Sequence, residues 1–204
     1  LTADQIASHY RFEGGPAEAW LAAKEIPEDR VAVRLFDGLM DRTWGFVLDR
    51  PALEFDIPSM AISQLPRSYN ERGVIVDRKL PVLAQSYMKR SLPKGSYSLL
   101  IRSKNATRLW IDGKRVASQP FLTTNGDGHE PVPTLPTPPR PNLHAAPQGH
   151  RENVVQVDLD AGLHVFRLDA IVGGRTVRPE IGEVCVAIAF EDGDYEILSP
   201  ETAE

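Results

Sequence analysis

The fold of this chain is decided by residues 95–116, which read GSYSLLIRSKNATRLWIDGKRV. Tyr97, Leu99 and Ile101 occupy alternate positions, as in a strand with one buried face. A second apolar run around Trp110 leads directly into Asp112-Gly113. An Asp-Gly pair between alternating apolar residues is a strong signal for a hairpin with a two-residue turn. We therefore predict an antiparallel meander of three short strands whose tight turn is Asp112-Gly113.

The pattern from residue 44 to residue 190 favours a mainly β domain. Short apolar stretches alternate with glycine and proline turns, and no helical pattern separates them. Many short strands of this kind are typical of an antiparallel β-sandwich or barrel. The residues expected in the core are Leu99, Ile101, Phe166, Leu168, Ile171, Val186 and Ile188.

Residues 1–43 are predicted to form a short α-helical N-terminal appendage on this domain. Thr2 and Gln5 have the spacing of a capping box, and residues 17–24 are rich in helix formers. A third helix is predicted after Pro27, where apolar residues recur at helical spacing. Residues 31–35 also alternate, so a strand is an open alternative there.

Composition excludes several classes of function. The chain has 204 residues and a net charge of −5, without the basic face that a nucleic-acid-binding protein usually shows. Its single cysteine forms no internal disulfide, and the absence of a Cys-x-x-Cys-His motif excludes a covalent haem within these residues. No apolar run is long enough for insertion into a membrane.

The two ends of the chain suggest a piece of a longer polypeptide. The sequence begins at Leu1 without a signal-peptide pattern, and residues 191–204 carry six acidic residues and no lysine or arginine. We expect an excised domain or mature fragment whose residues 191–204 form a solvated exit segment.

Residues 121–150 form a proline-rich excursion between the predicted central and final strands. Seven prolines lie between Pro131 and Pro147, and proline removes the donors that a central strand needs. A connection this long within a compact domain is usually functional or disordered. It also holds His129, His144 and His150.

The pattern of residues 95–116 resembles the core of the PA14 superfamily of β-sandwich domains. Residues 159–168, LDAGLHVFRL, are similar to a second hallmark of that family, a strand entered through Gly-x-His. The resemblance covers roughly residues 74–190 and implies two facing antiparallel sheets. Many PA14 domains are accessory modules of secreted glycosidases and adhesins, and several bind sugars.

Three further phrases resemble a β-domain of large secreted planctomycete proteins that also carry cytochrome c. They are LLIRSKNATR at 99–108, NGDGHEPVP at 125–133 and FRLDAIVGG at 166–174. The resemblance implies an extracytoplasmic (periplasmic or secreted) multidomain protein whose haem lies on a separate domain. It implies no known reaction.

One departure from the PA14 pattern concerns calcium. PA14 domains that bind sugar through calcium carry a paired Asp-Asp in the loop before the Trp-bearing strand. Here that loop reads Ser103-Lys104-Asn105-Ala106. A hard cation requires several oxygen ligands, and the Lys104 ammonium opposes its binding.

A binding site is predicted where the excursion meets this loop. The excursion contributes Asn125, Asp127, His129 and Glu130, and the loop contributes Lys104 and Asn105. Asn125, Asp127 and Glu130 have oxygen atoms spaced to hold calcium, although turn chemistry explains the same residues. A transition-metal site of His129, His144, His150 and His164 is a weaker alternative.

No catalytic residues are predicted. The sequence lacks a nucleophile elbow, a phosphate-binding loop and a zinc-protease motif. The candidate acids for glycoside hydrolysis are Asp158, Asp160 and Asp169. The three tryptophans are either core residues or surfaces for sugar stacking, and they are Trp20, Trp44 and Trp110. Two non-catalytic functions are open: an accessory module that binds polysaccharide, and a docking domain that positions cytochrome c or other neighbouring domains, or associates with itself.

Overall fold

The computed structural model describes residues 26–36, 51–66, 68–76, 82–120, 138, 140–141, 143–146, 150–172 and 184–200. Every regular element within these ranges is a strand, which confirms the mainly β prediction. No helix in this described part has the length and hydropathy of a membrane span. The strands are β1 (Val31–Phe36), β2 (Leu53–Ile57), β3 (Ala61–Ile62), β4 (Ser68–Tyr69), β5 (Ile75–Val76), β6 (Val82–Leu92), β7 (Gly95–Ser103), β8 (Thr107–Ile111), β9 (Lys114–Gln119), β10 (Arg151–Leu159), β11 (Gly162–Val172), β12 (Val184–Phe190) and β13 (Glu196–Ile197).

Two antiparallel sheets face each other across a common core. The six-stranded sheet has the order β2-β1-β6-β11-β8-β9, and the five-stranded sheet has the order β10-β7-β12-β13 with β3 also paired to β12. Strands β4 and β5 form a separate hairpin. Because alternate residues of each strand point between the sheets, their aliphatic side chains form one buried cluster.

The predicted core residues are all buried. Six of them lie in the cluster between the sheets, and they are Leu99, Ile101, Phe166, Leu168, Val186 and Ile188. Ile171 is also buried but lies outside that cluster. Burial of this apolar area is the main stabilising contribution, at roughly 25 cal/mol per Å² removed from water.

The predicted turn at Asp112-Gly113 is confirmed. Strand β8 pairs with β9 directly across it. Asp112 has a φ of 51° and Gly113 a φ of 78°. Positive φ at both central residues is the requirement of a type I′ turn, whose twist matches that of the two strands.

The predicted meander is wrong in its pairing. Strand β7 pairs with β10 and β12 in one sheet, whereas β8 pairs with β9 and β11 in the other. Residues 104–106 therefore cross between the sheets rather than joining neighbouring strands. Both strands alternate in the same way because each buries one face in the same core, so the pattern does not distinguish pairing within a sheet from pairing across the sandwich.

The third predicted N-terminal helix is also wrong, and its strand alternative is correct. Residues 31–36 form β1, which lies between β2 and β6 inside the six-stranded sheet. Val31, Val33 and Leu35 are core residues. Part of the predicted appendage of residues 1–43 is thus a sandwich strand. The other two predicted helices, at 2–10 and 17–24, lie outside the described residues.

The acidic C-terminal segment packs against the sandwich instead of running into solvent. Strand β13 pairs with β12, and the Leu198 side chain is fully buried in the core. The Met60 amide donates a hydrogen bond to the Leu198 carbonyl at 2.8 Å. The prediction of a solvated exit segment is therefore wrong from Tyr195 to Pro200, whereas residues 191–194 are exposed, and residues 201–204 lie outside the described part.

Candidate functional site

Several connections leave the sandwich at one end, which we call the loop end. In the registers, Ser103 lies opposite Arg151 and Val184, and Thr107 lies opposite Gln119. The excursion therefore leaves after Gln119 and returns at Arg151 beside the loop 104–106. The two described ends of the excursion therefore lie beside this loop, while residues 121–137 lie outside the described residues. The predicted reason for this placement was wrong, because β10 and not β9 pairs with β7.

A buried glutamine side chain links neighbouring strands at the base of the loop end by hydrogen bonds. The Gln119 side-chain oxygen lies within hydrogen-bond distance of the Ser103 and Thr107 hydroxyls, the latter at 3.3 Å. Its amide nitrogen lies 3.4 Å from the carbonyl oxygens of Ile101 and Arg151. One side chain on β9 thus contacts β7, β8 and β10, and so joins the edges of both sheets.

Two arginines fix the chain where the excursion begins and ends. The Arg151 guanidinium donates to the Pro120 carbonyl, so the two ends of the excursion are joined directly. Burial lowers the pKa of Arg151. Arg102 pairs with Glu152 across the β7–β10 ladder and also donates to the His144 carbonyl at 2.8 Å. These contacts give the loop end a rigid base.

Lys104 and Asn105 lie half-buried in the loop that crosses between the sheets. The Asn105 side-chain oxygen accepts a hydrogen bond from the Ala106 amide at 2.9 Å. The Ser103 hydroxyl lies 2.6 Å from the Asn105 carbonyl. The Asn105 oxygen atoms therefore stabilise a tight local turn, and the Lys104 ammonium is the charged group that this loop contributes to the loop end.

The other predicted site residues are not brought together in the described structure. Asn125, Asp127, His129 and Glu130 lie outside the described residues. His164 lies at the opposite end from His150, with both ring nitrogens hydrogen-bonded to Asp112 and the Asp160 carbonyl. The described ranges hold no group of three or more metal-ligating side chains. His164 is therefore held in structural hydrogen bonds with Asp112 and the 160–161 connection.

An exposed aromatic residue, Tyr69, lies on the β4–β5 hairpin and was not among the predicted site residues. Strands β4 and β5 lie in the connection from β3 to β6, and β3 ends and β6 begins at the loop end. Tyr69 on this hairpin is 58% exposed. Asn70 orders the turn, since its side chain accepts hydrogen bonds from the Arg72 and Val74 amides at 3.0 Å each. The sequence signal for this hairpin is the pair of turn residues Asn70 and Gly73, which flank a tight turn.

Trp110 is buried, so it offers no surface for a ligand. Its ring lies on the outer face of the six-stranded sheet, where the Arg167 guanidinium stacks at 4.4 Å from the ring centre. Arg167 also forms a two-point ion pair with Asp169, at 3.0 and 2.7 Å. The fully buried Asp169 is thereby excluded as a hydrolytic acid. Trp20 and Trp44 lie outside the described residues.

Asp158 and Asp160 lie together in one open cleft, but not in the setting that glycoside hydrolysis requires. The Asp160 side chain is 87% exposed and pairs with the Lys94 ammonium at 3.1 Å. A general acid of a glycosidase needs a carboxyl group held protonated by an apolar surrounding. The exposed Asp160 carboxylate lacks such a surrounding.

Comparison with known proteins supports the fold. No protein-family model matches the chain, and no curated protein matches it. A PA14 sugar-binding domain from an RTX adhesin is similar, with a TM-score of 0.52 and 10% identity over 85% of this chain and 97% of that domain. The PA14 domain of the MpAFP antifreeze protein has a TM-score of 0.52 and 8% identity over 83% of this chain and 87% of that one.

Larger proteins contain the same fold as one part. An anti-sigma factor domain-containing protein from Clostridium clariflavum has a TM-score of 0.50 and 15% identity. The alignment covers 83% of this chain and 45% of that protein. A β-glucosidase from Kluyveromyces marxianus has a TM-score of 0.50 and 8% identity, and the chain spans 17% of it. At these identities the likeness shows a PA14-like β-sandwich fold.

Proposed function

We propose that this domain is a non-catalytic carbohydrate-binding module of a larger extracytoplasmic bacterial protein, and that the loop end binds polysaccharide. The observation that carries the proposal is the convergence of the loop 104–106 and both ends of the excursion on one end of a PA14-like sandwich, where the connection that carries the Tyr69 hairpin also begins and ends. A fold of this type is found in a sugar-binding domain of an adhesin.

The loop end has the physical properties of a site for neutral sugars. Tyr69 provides an exposed ring on an ordered turn, and aromatic faces present apolar area at low entropic cost. Lys104 and the excursion residues Asn125, Asp127, His129 and Glu130 provide donors and acceptors for hydroxyl groups. Prolines in the excursion reduce the entropy that ordering such a surface costs.

Calcium is proposed only within the excursion. Asn125, Asp127 and Glu130 are its proposed ligands, because their oxygens are hard donors at close spacing. The loop 103–106 is not proposed to bind calcium, because the two Asn105 oxygens accept local hydrogen bonds and Lys104 carries a positive charge. Calorimetric titration of the metal-free protein with calcium, compared with Asp127→Asn, tests this assignment.

The function is tested with a glycan array followed by calorimetry on the best ligand. We expect Lys104→Ala combined with Tyr69→Ala to weaken binding at least about tenfold, a change of about 1.4 kcal/mol. Lys114→Ala, an exposed lysine beside the Asp112-Gly113 turn at the other end, is the matched control and should bind normally. Binding that survives the double substitution would exclude the loop end as the sugar site.

A docking function is the second candidate, and one observation favours it. Tyr69, Val74 and Ile75 are all exposed on the same small hairpin, and Tyr69 lies directly opposite Ile75. Exposed apolar side chains of this kind fit contact with a cytochrome c or other neighbouring domain of the parent chain, or with a second copy. Val74→Ser with Ile75→Ser should abolish association measured by light scattering, and should leave glycan binding unchanged if the two functions are separate.

A further inference from the structure

Strand β10 forms one edge of the five-stranded sheet. Its nine residues pair with β7, and no strand of the described part pairs with its other side. It is also the longest strand at any sheet edge within the described ranges. Such an edge presents a row of backbone N–H and C=O groups that can pair with a strand of another chain.

The other sheet edges carry features that oppose pairing with another chain. Strand β2 has five residues and exposes Glu54 and Asp56. Strand β9 exposes Lys114 and Arg115, and a register shift interrupts its ladder with β8. Strands β3 and β13 have two residues each. Short length, charged side chains and irregular register are the usual protection of a sheet edge.

Strand β10 has none of these features along its centre. Its ladder with β7 is regular over all nine residues. Residues 153–157 read NVVQV, without charge or proline, and valine favours strands. The two charged residues before them are engaged within the chain, because Arg151 donates to the Pro120 carbonyl and Glu152 pairs with Arg102. The sequence and the regular backbone of this edge therefore favour pairing with a further strand.

Apolar side chains on both faces of β10 stay partly exposed. Val154, on the outer face, is 42% exposed. Val155 and Val157 face the core but are only half-buried. Leu99, directly opposite Val155 on β7, is fully buried. A strand added beside β10 would remove apolar area of all three valines from water, which stabilises the pairing.

The charge pattern of β10 is complementary to itself. In an antiparallel pair of two copies centred on Val154, this residue meets its counterpart and Glu152 lies opposite Gln156. No two like charges then face each other across the pair. A centre at Val155 would instead place Glu152 opposite Asp158, and the two carboxylates would repel. The charges therefore favour the register centred on Val154.

We propose that this chain forms a symmetric dimer in which β10 pairs antiparallel with β10 of a second copy, centred on Val154. The two five-stranded sheets then form one continuous sheet, and both copies use the same surface. Because β10 begins at the loop end, antiparallel pairing directs the two loop ends away from each other. Such a dimer would bridge two polysaccharide chains; that consequence rests on the proposed function, whereas the dimer does not.

The test is sedimentation velocity of the complete chain, without sugar, from micromolar to millimolar concentration. We expect an equilibrium between monomer and dimer. Val154→Lys places two ammonium groups opposite each other and should weaken the dimer at least about tenfold. Val154→Thr, which keeps a β-branched side chain, should preserve the dimer. A monomer at every concentration, or a dimer that Val154→Lys does not weaken, would overturn the proposal.

Val74→Lys is the matched control, because it makes the same change at another exposed valine, beside β5 of the small hairpin. It should leave the dimer intact, and circular dichroism of both lysine variants should match that of the wild type. Dissociation by Val74→Lys but not by Val154→Lys would assign self-association to the hairpin and refute the proposal.

An isotope-filtered NOE experiment tests the register without any substitution. A mixture of labelled and unlabelled wild-type chains should show contacts between the Val154 methyl groups of the two copies, and between Glu152 and Gln156. Contacts between copies that involve only residues outside β10 would refute the dimer proposed here.

Discussion

His164 forms a close ion pair with Asp112, with 2.6 Å between Nδ1 and Oδ2. Its other nitrogen, Nε2, lies 2.9 Å from the Asp160 carbonyl. A neutral imidazole has one N–H, so only the charged ring donates both bonds. Asp112 is itself fixed, because its second carboxylate oxygen accepts the Val165 amide at 2.9 Å. The turn that the sequence predicts is therefore joined to β11 by a charged contact.

This contact predicts a dependence of stability on pH. Burial alone would lower the pKa of His164, but the hydrogen bonds to Asp112 and Asp160 and the charges of these two residues raise it overall. Because the folded state binds the proton more tightly, the stabilisation is complete below about pH 6.5 and is lost as pH rises through the raised pKa. Its expected size is on the order of 1 kcal/mol.

Asp112→Asn isolates the effect. Asparagine tolerates the positive φ of this position and can donate to a neutral His164 ring, so the variant no longer favours the charged form. Urea unfolding of both proteins from pH 5.5 to pH 9 should show the wild type more stable at low pH, with the difference shrinking at high pH. Parallel stability curves for the two proteins would contradict a charged His164.

Arg167 and Asp169 form a buried ion pair, so we expect a large loss of folding stability when only one of the two residues is replaced. Arg167 lies between the rings of Trp110 and Tyr87, at 4.4 and 5.8 Å. Burial raises the pKa of Asp169, and Arg167 is the main group that opposes this. Arg167→Leu leaves a buried carboxylate without its partner and should cost about 3–5 kcal/mol in the free energy of unfolding.

A double substitution and a surface control separate charge from packing. Arg167→Leu combined with Asp169→Leu should recover part of the loss, because no uncompensated charge remains. Lys94→Ala removes a solvent-exposed pair and should change stability by less than about 1 kcal/mol. If the double variant is no more stable than Arg167→Leu alone, the uncompensated charge is not the cause of the loss.

The sequence correctly predicted the features that depend on residues close together in the chain. The Asp112-Gly113 turn depends on the backbone preferences of two residues, and the buried faces of β7 and β11 depend on simple alternation. Pairing between β7 and β8 was predicted wrongly because it depends on which sheet each strand joins. For β1, helical spacing and alternation coexist in the same residues, and packing between β2 and β6 decides the outcome.

The candidate sites were predicted in part. The ends of the excursion lie beside the loop of Lys104, but through the pairing of β7 with β10 and not through the predicted pairing of β7 with β9. The contact between Gly95 and Phe190 had no sequence signal, because the two residues lie far apart in the chain and meet only through the β7–β12 ladder. A buried Trp110 was one of the two predicted alternatives, but its contact with Arg167 could not be predicted, since Arg167 comes from β11.

We expect the neutral side chain of Gln119 to stabilise the loop end. Gln119→Leu would leave the buried Thr107 hydroxyl without this partner, at a cost of about 1–3 kcal/mol, whereas the Ser103 hydroxyl can still donate to the Asn105 carbonyl. Hydrogen exchange should become faster at the amides of Ser103 and Arg151. Ser118→Ala, at the adjacent exposed position of β9, is the control and should change neither quantity. Unchanged exchange in Gln119→Leu would show that the strands are held without it.

The second half of the proline-rich excursion packs on the five-stranded sheet through Arg140 and Leu143. Leu143 packs on a cluster that includes Leu100 and Tyr195, on the outer face of the five-stranded sheet. The Arg140 guanidinium lies 5.8 Å from the Tyr195 ring centre and donates to the Asp192 carbonyl at 2.9 Å. Removal of these residues would expose the small side chains of β12 to water.

Two deletions of different length therefore have different predicted effects. Deletion of residues 131–147 removes Arg140 and Leu143 and should lower the melting temperature by about 5–10 °C, as expected for a loss of about 2–3 kcal/mol. Deletion of residues 131–137 keeps both residues and should leave the melting temperature nearly unchanged. If the shorter deletion also abolishes glycan binding, the prolines order the binding surface; if it leaves binding intact, the sugar contacts lie outside residues 131–137. Equal melting temperatures for the two deletions would show that Arg140 and Leu143 do not stabilise the sheet.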